Sequence, residues 1–222
     1  MVRRCMPGVV FALTVAGCTL PQQLLWAILP ADTIPVFFAN LKGLETPVQE
    51  RLIELERQRD WAGILVLADE ALAKDRRRPE WWLVKGHTLG QLTRWPEAAV
   101  AYAETVQFNP LELDGWFRLA QAQRLSGQTE RAINTLERSL QVSRESPETF
   151  FLLGELHREQ GNPQAASPTY REALRLQPDL PAAWYGLGLI AAAQGRFDER
   201  DAIVLHLRST APELAKRLAQ SN

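Results

Sequence analysis

The chain has 222 residues, 46% hydrophobic and 23% charged, a balance that allows a buried core and sets disorder aside. Its 25 basic and 26 acidic residues leave a formal net charge of −1, which lacks the basic footprint of a nucleic-acid binder. Both cysteines, Cys5 and Cys18, fall within the first 18 residues, so the body of the chain forms no internal disulfide or thiolate metal cluster and must be stabilised by packing.

The first predicted element is an amino-terminal address. Arg3 and Arg4 precede the apolar run GVVFALTVAG at 8–17, the charged and apolar regions of a secretory signal peptide over residues 1–17. The run is too short to span a bilayer as a mature helix. Val15, Ala16 and Gly17 then lead into Cys18, and the stretch from Leu13 to Cys18 resembles the lipobox of bacterial lipoproteins. The resemblance implies cleavage before Cys18, lipidation of that cysteine and attachment to the cell envelope facing the periplasm. Two acyl chains hold firmly where one is marginal. An aspartate after the cysteine favours inner-membrane retention in known lipoproteins; Thr19 stands here, so the outer membrane is favoured. The alternatives are a cleaved signal without lipid and an uncleaved, retained helix.

Residues 18–44 follow. LPQQLLWAIL at 20–29 and IPVFFANL at 34–41 carry Trp26, Phe37 and Phe38 and are cut by Pro30 and Pro35. This is too apolar for an inert tether: it caps the first repeat, lies in a membrane interface, or engages a partner.

From residue 45 the chain repeats itself. Blocks beginning at Pro79, Leu113, Pro147 and Pro181 are offset by 34 residues. Their fourth positions are Trp82, Trp116, Phe150 and Trp184, and their eighth are Gly86, Ala120, Gly154 and Gly188. Ala98, Ala132 and Ala166 share the twentieth position with Arg200, and Pro110, Pro178 and Pro212 share a register with Arg144. Each block reads as two helices. In the fourth, ETFFLLGELHREQ at 148–160 has helical apolar spacing and ends at Gly161-Asn162, a pair that tolerates a left-handed conformation; the second helix opens on Pro163. A weaker block at Glu45 aligns Trp61 with Trp95 and Phe197 and suits a terminal repeat. Residues 213–220 (ELAKRLAQ) form a short amphipathic stretch able to cover the last repeat. Pro168, inside a second helix, predicts a bend.

This pattern resembles the tetratricopeptide repeat (TPR) family over residues 45–214. The resemblance implies an all-α, right-handed superhelical solenoid: repeats at about 45–78, 79–112, 113–146, 147–180 and 181–214, with a short capping helix completing a domain of 45–222. In that family the first helices line a concave, peptide-binding groove. Carried over, the fifth positions Leu83, Phe117, Phe151 and Tyr185 make an apolar ladder, the ninth are His87, Gln121, Glu155 and Leu189, and Arg124 and Arg158 stand at the twelfth. The ladder is either open to a peptide or packed against the chain's own residues 20–44. The lysines and asparagines with which one variant clamps a terminal carboxylate are replaced here by Thr46, Gln49, Leu83, His87 and Asp114, which argues against such a clamp.

Chemistry is not legible. His87, His157 and His206 lie in different blocks, and no paired cysteines, His-Glu-x-x-His motif, phosphate loop or nucleophile elbow occurs. Trp61, Trp82, Trp95, Trp116 and Trp184 read as packing positions. The expectation is a non-enzyme without cofactor, metal or nucleic acid, anchored through Cys18, that holds a protein or extended peptide in its groove while assisting assembly of an envelope complex. The alternatives are an accessory subunit presenting substrate to a partner enzyme and a cytoplasmic or inner-membrane scaffold.

Overall fold

Two helices form in every 34 residues, for reasons visible in each repeat. The computed structural model describes residues 37–221; the signal-peptide reading, Cys18 and residues 18–36 lie outside the described residues. After a 3-10 turn at Phe38–Asn40 come α1 (Thr46–Arg57), α2 (Trp61–Lys74), α3 (Pro79–Gln91), α4 (Trp95–Phe108), α5 (Leu113–Leu125) and α6 (Thr129–Val142). They are followed by α7 (Pro147–Glu159), α8 (Pro163–Leu176), α9 (Pro181–Ala193), α10 (Phe197–Thr210) and α11 (Pro212–Ala219). Among the described residues there is no strand. The first ten helices pair into five repeats that stack in chain order as a right-handed superhelix, and α11 covers the last.

The turn inside each repeat recurs with the sequence period. Residues 59, 93, 127, 161 and 195 all adopt positive φ, between 55° and 76°. Each turn closes with the same two backbone bonds, for example Gly161 N–H to Arg158 O at 3.0 Å and Asn162 N–H to His157 O at 2.9 Å, which satisfy carbonyls left over at the first helix's end. Glycine fills this position in the last three repeats, whereas Arg59 and Thr93 occupy it in the first two. Asp60 and Asn162 cap the helices that follow, accepting from the amides of Gly63 and Ala165 at 2.9 and 3.1 Å.

Large residues from second helices fill the notches left by small residues on first helices. A Cβ added to Gly86 would lie 2.6 Å from the Tyr102 ring, and one on Gly154 or Gly186 would lie 2.7 or 2.5 Å from Tyr170. Tyr170 is fully buried and thereby joins α8 to both α7 and α9. Leu218 of α11 does the same to Gly188; both Leu218 and Ala215 are buried.

The tryptophans at the fourth position also tie repeat to repeat. Trp82, Trp116 and Trp184 donate their indole N–H to the carbonyls of Arg76, Pro110 and Pro178 at 2.8, 2.8 and 2.9 Å, each six residues back. Arg200, the exception among small residues, reaches the Ser221 carbonyl at 2.9 Å and lies over Phe197, so its bulk fixes the end of the cap. Helix α8 continues through Pro168, whose ring is exposed. Buried apolar residues run through the stack, from Phe38 and Leu52 past Leu136 and Leu152 to Leu207 and Leu218.

Candidate functional site

The repeat period places one residue set at equivalent positions of successive first helices. Leu83 and His87 stand on α3, Phe117, Gln121 and Arg124 on α5, Phe151, Glu155 and Arg158 on α7, and Tyr185 and Leu189 on α9. The apolar ladder is not evenly open. Leu83, Phe151 and Tyr185 are buried, and only Phe117 is partly exposed. Leu83 shares a core with Phe38 of the amino-terminal turn, Phe151 meets the Tyr170 ring with centroids 6.1 Å apart, and the Arg217 guanidinium from α11 lies 5.8 Å over the Tyr185 ring. Segments outside the repeats therefore help close the ladder at both ends.

Paired charges cross its middle. Arg124 of α5 grips Glu159 of α7, its Nε 2.9 Å from the carboxylate, with a second, closer contact through Nη2. Glu155 is buried and takes the Arg158 guanidinium at 2.9 Å and the Tyr170 hydroxyl. Burial raises the Tyr170 hydroxyl well above its ordinary pKa, and the Glu155 charge raises it further. The network fixes α7 against α8 and leaves Phe117, Gln121 and Leu189 as partly exposed, uncharged groups on this face.

At the amino-terminal end, the chain's own residues sit on first-helix positions. The Phe37 ring stacks on His87 at 3.8 Å and 13°, and Phe38 meets the same imidazole edge-on at 5.5 Å. Gln49 of α1 donates its amide to the carbonyls of Phe38 and Ala39 at 2.7 and 2.8 Å. From α5 the Arg118 guanidinium lies 4.6 Å over the Phe37 ring, held by Asp114 at 2.6 Å. Gln49, His87 and Asp114 are three of the positions that differ from the carboxylate clamp; here they hold, directly or through Arg118, an internal aromatic pair. The only hint in the sequence is Phe37-Phe38 standing in a proline-cut segment too apolar for a tether.

Beneath this pair lies Glu56 of α1, with 1% of its side chain exposed and His87 Nε2 3.9 Å away. Neither carboxylate oxygen has a hydrogen-bond partner among the described residues. Burial pushes its pKa up to about 7, and the Phe38 amide, outside hydrogen-bonding geometry, draws it only partly back. Burial pulls His87 down to about 3, helped by the Arg118 charge. At neutral pH His87 is therefore an uncharged stacking surface.

Second helices frame one further concavity, a cleft of about 620 Å³ where Arg171 and Arg175 of α8 face Trp184 of α9 and Glu199, Ile203 and His206 of α10. Arg175 is engaged by Glu172 at 2.8 Å, and Trp184 leans on His206 at 4.8 Å. Among the described residues no three His, Cys, Asp or Glu side chains converge as a metal site, and no helix is long and apolar enough to cross a membrane.

The tetratricopeptide repeat family model matches residues 83–148 and 151–199. The fold is also that of several solved structures. MamA is 18% identical, covers 80% of this chain and 99% of its own, and superposes with a TM-score of 0.65. TTC0263, a thermophilic TPR protein from Thermus thermophilus, is 22% identical over 78% of this chain and 95% of its own, with a TM-score of 0.58. YrrB, described as a TPR protein with an unusual peptide-binding site, is 16% identical over 65% of this chain and 75% of its own, with a TM-score of 0.55. No curated protein matches the chain in sequence.

Proposed function

The chain belongs to the tetratricopeptide repeat family, and from that premise we propose that it is a non-catalytic scaffold holding a protein or extended peptide against its first-helix face. The observation that carries this reading is the first-helix face: four first helices, α3, α5, α7 and α9, present His87, Phe117, Gln121, Arg158 and Leu189 as partly exposed groups around a buried apolar ladder. Aromatic anchors rimmed by polar groups are the usual energetic core of a protein interface. The peptide-binding site attributed to YrrB offers a precedent on the same fold.

In its finer form, the scaffold is a lipid-anchored adaptor on the periplasmic side of the envelope, outer membrane favoured, assisting assembly of an envelope complex. This rests on Arg3, Arg4, the apolar run at 8–17 and Cys18 in the sequence. One experiment tests both levels: purification from membranes of the native host, with intact masses read for the chain and for whatever co-purifies. The proposal expects an acylated chain beginning at Cys18 together with an envelope structural protein in fixed ratio. An unmodified chain beginning at Met1 refutes the anchor, and a stoichiometric hydrolase or lyase as sole companion refutes the assembly role.

A further inference from the structure

The amino-terminal turn is seated as a ligand would be. Two adjacent aromatic rings lie across three successive first helices, with Phe37 between the His87 imidazole and the Arg118 guanidinium and Phe38 fully buried beside Leu52 and Leu83. Two carbonyls that follow accept from one side chain, Gln49. Ring stacking, a cation over a ring and a side-chain amide reading backbone carbonyls are means by which proteins recognise peptide segments. The turn itself is only three residues long, so little of its own structure would have to be undone to leave.

The fit is incomplete at one point. Glu56 adjoins this seat, 3.9 Å from His87 Nε2, and neither of its carboxylate oxygens has a hydrogen-bond partner among the described residues, although its side chain is only 1% exposed. A buried carboxyl without a partner is unfavourable, and the resident turn offers it apolar rings and the Phe38 amide outside hydrogen-bonding geometry, but no cation. An occupant with the same two rings and a basic side chain beside them would satisfy Glu56 by a charge-assisted hydrogen bond.

We propose that the first-helix face of α1, α3 and α5 is a docking groove for a partner segment carrying two adjacent aromatic residues within two positions of a lysine or arginine, and that the Phe37–Asn40 turn is the resident occupant this partner displaces. Phe37 and Phe38 then set the groove's selectivity by example, His87, Gln49 and Arg118 read the shared features, and Glu56 separates the partner from the resident. The inference rests on the scaffold reading and names the partner chemistry for one end of that face. A tethered occupant competes at an effective concentration set by the length and stiffness of its link, which makes the resident turn a threshold that only a better ligand crosses.

The test uses fluorescein-labelled peptides KVFFANL, AVFFANL and KVAAANL, with binding to the full-length chain followed by anisotropy. Phe37→Ala/Phe38→Ala empties the seat and should bind KVFFANL at least about tenfold more tightly than the wild-type chain does. Adding Glu56→Gln should weaken KVFFANL by about tenfold and leave AVFFANL unchanged. KVAAANL should not bind. If the double variant loses its helical circular dichroism, Phe37→Ala alone, at a partly exposed position, carries the comparison with the same expected direction. Equal affinity of wild type and emptied variant for KVFFANL overturns the inference while leaving a scaffold that binds elsewhere intact, and so does KVAAANL binding as well as KVFFANL.

Discussion

Glu56 is the residue at which packing and electrostatics conflict most sharply. Its ordinary pKa of 4.5 rises to about 7 in the folded chain because the carboxylate form is deprived of water. Between those values the folded chain keeps a proton that the unfolded chain releases, so stability falls as pH rises, and the loss is complete above pH 7. His87 acts in the opposite sense. Its pKa falls from 6.5 to about 3, so below pH 6.5 the unfolded chain takes up a proton that the folded chain refuses, and stability is lost as pH falls. From 4.5 to 6.5 the two slopes oppose each other, and neither is visible in the wild-type chain alone. Glu56→Gln separates them: the difference in unfolding free energy between variant and wild type should shift by about 3 kcal/mol in the variant's favour from pH 4 to pH 8. Denaturant melts at the two pH values check this; an unchanged difference means that the carboxyl is solvated.

At the scale of the helix, the turn at positions 59, 93, 127, 161 and 195 decides where each first helix stops. Thr93 holds φ at 58° although its branched side chain disfavours that region, and its side chain is exposed. Thr93→Gly removes no packing and should stabilise the chain by about 1 kcal/mol in thermal or denaturant unfolding; a loss of stability would show that Thr93 has a contact beyond its backbone role. This turn was legible in part. Gly161-Asn162 marks it in the sequence, and the period carries the mark to Gly127 and Gly195, but Arg59 and Thr93 hide it because the two backbone bonds impose the conformation without glycine. Helix starts were readable from Pro79, Pro147, Pro163 and Pro181, which fix φ where no amide partner is needed. The tryptophan-to-carbonyl ties between repeats were not: the ring's place in the frame predicts burial, whereas its N–H donates across a link whose path depends on both repeats.

Over the whole molecule, the period of 34 is the spacing at which α3, α5, α7 and α9 begin, at Pro79, Leu113, Pro147 and Pro181, because each repeat contacts chiefly its neighbours, which keeps the fold close to one-dimensional. The candidate site was less legible for the same reason. Periodicity assigns a residue to a face and says nothing of what covers that face. Phe117 and Phe151 occupy equivalent positions, yet Tyr170 shuts Phe151 in to 2% exposure, while Leu136 stands where the equivalent tyrosine would be and Phe117 stays partly exposed. Phe37 and Phe38 lie before the first repeat, so no internal comparison could place them on His87.

The scaffold reading requires a partner on the first-helix face and not on the second helices. Phe117 on α5 and Val100 on α4 report the two faces, Val100 being 64% exposed. The most direct measurement installs benzoylphenylalanine at each position in turn, irradiates native cells and identifies the adducts by mass. One discrete protein adduct is expected from position 117 and none from position 100. Adducts from position 100 alone, or from neither position, would contradict the scaffold reading.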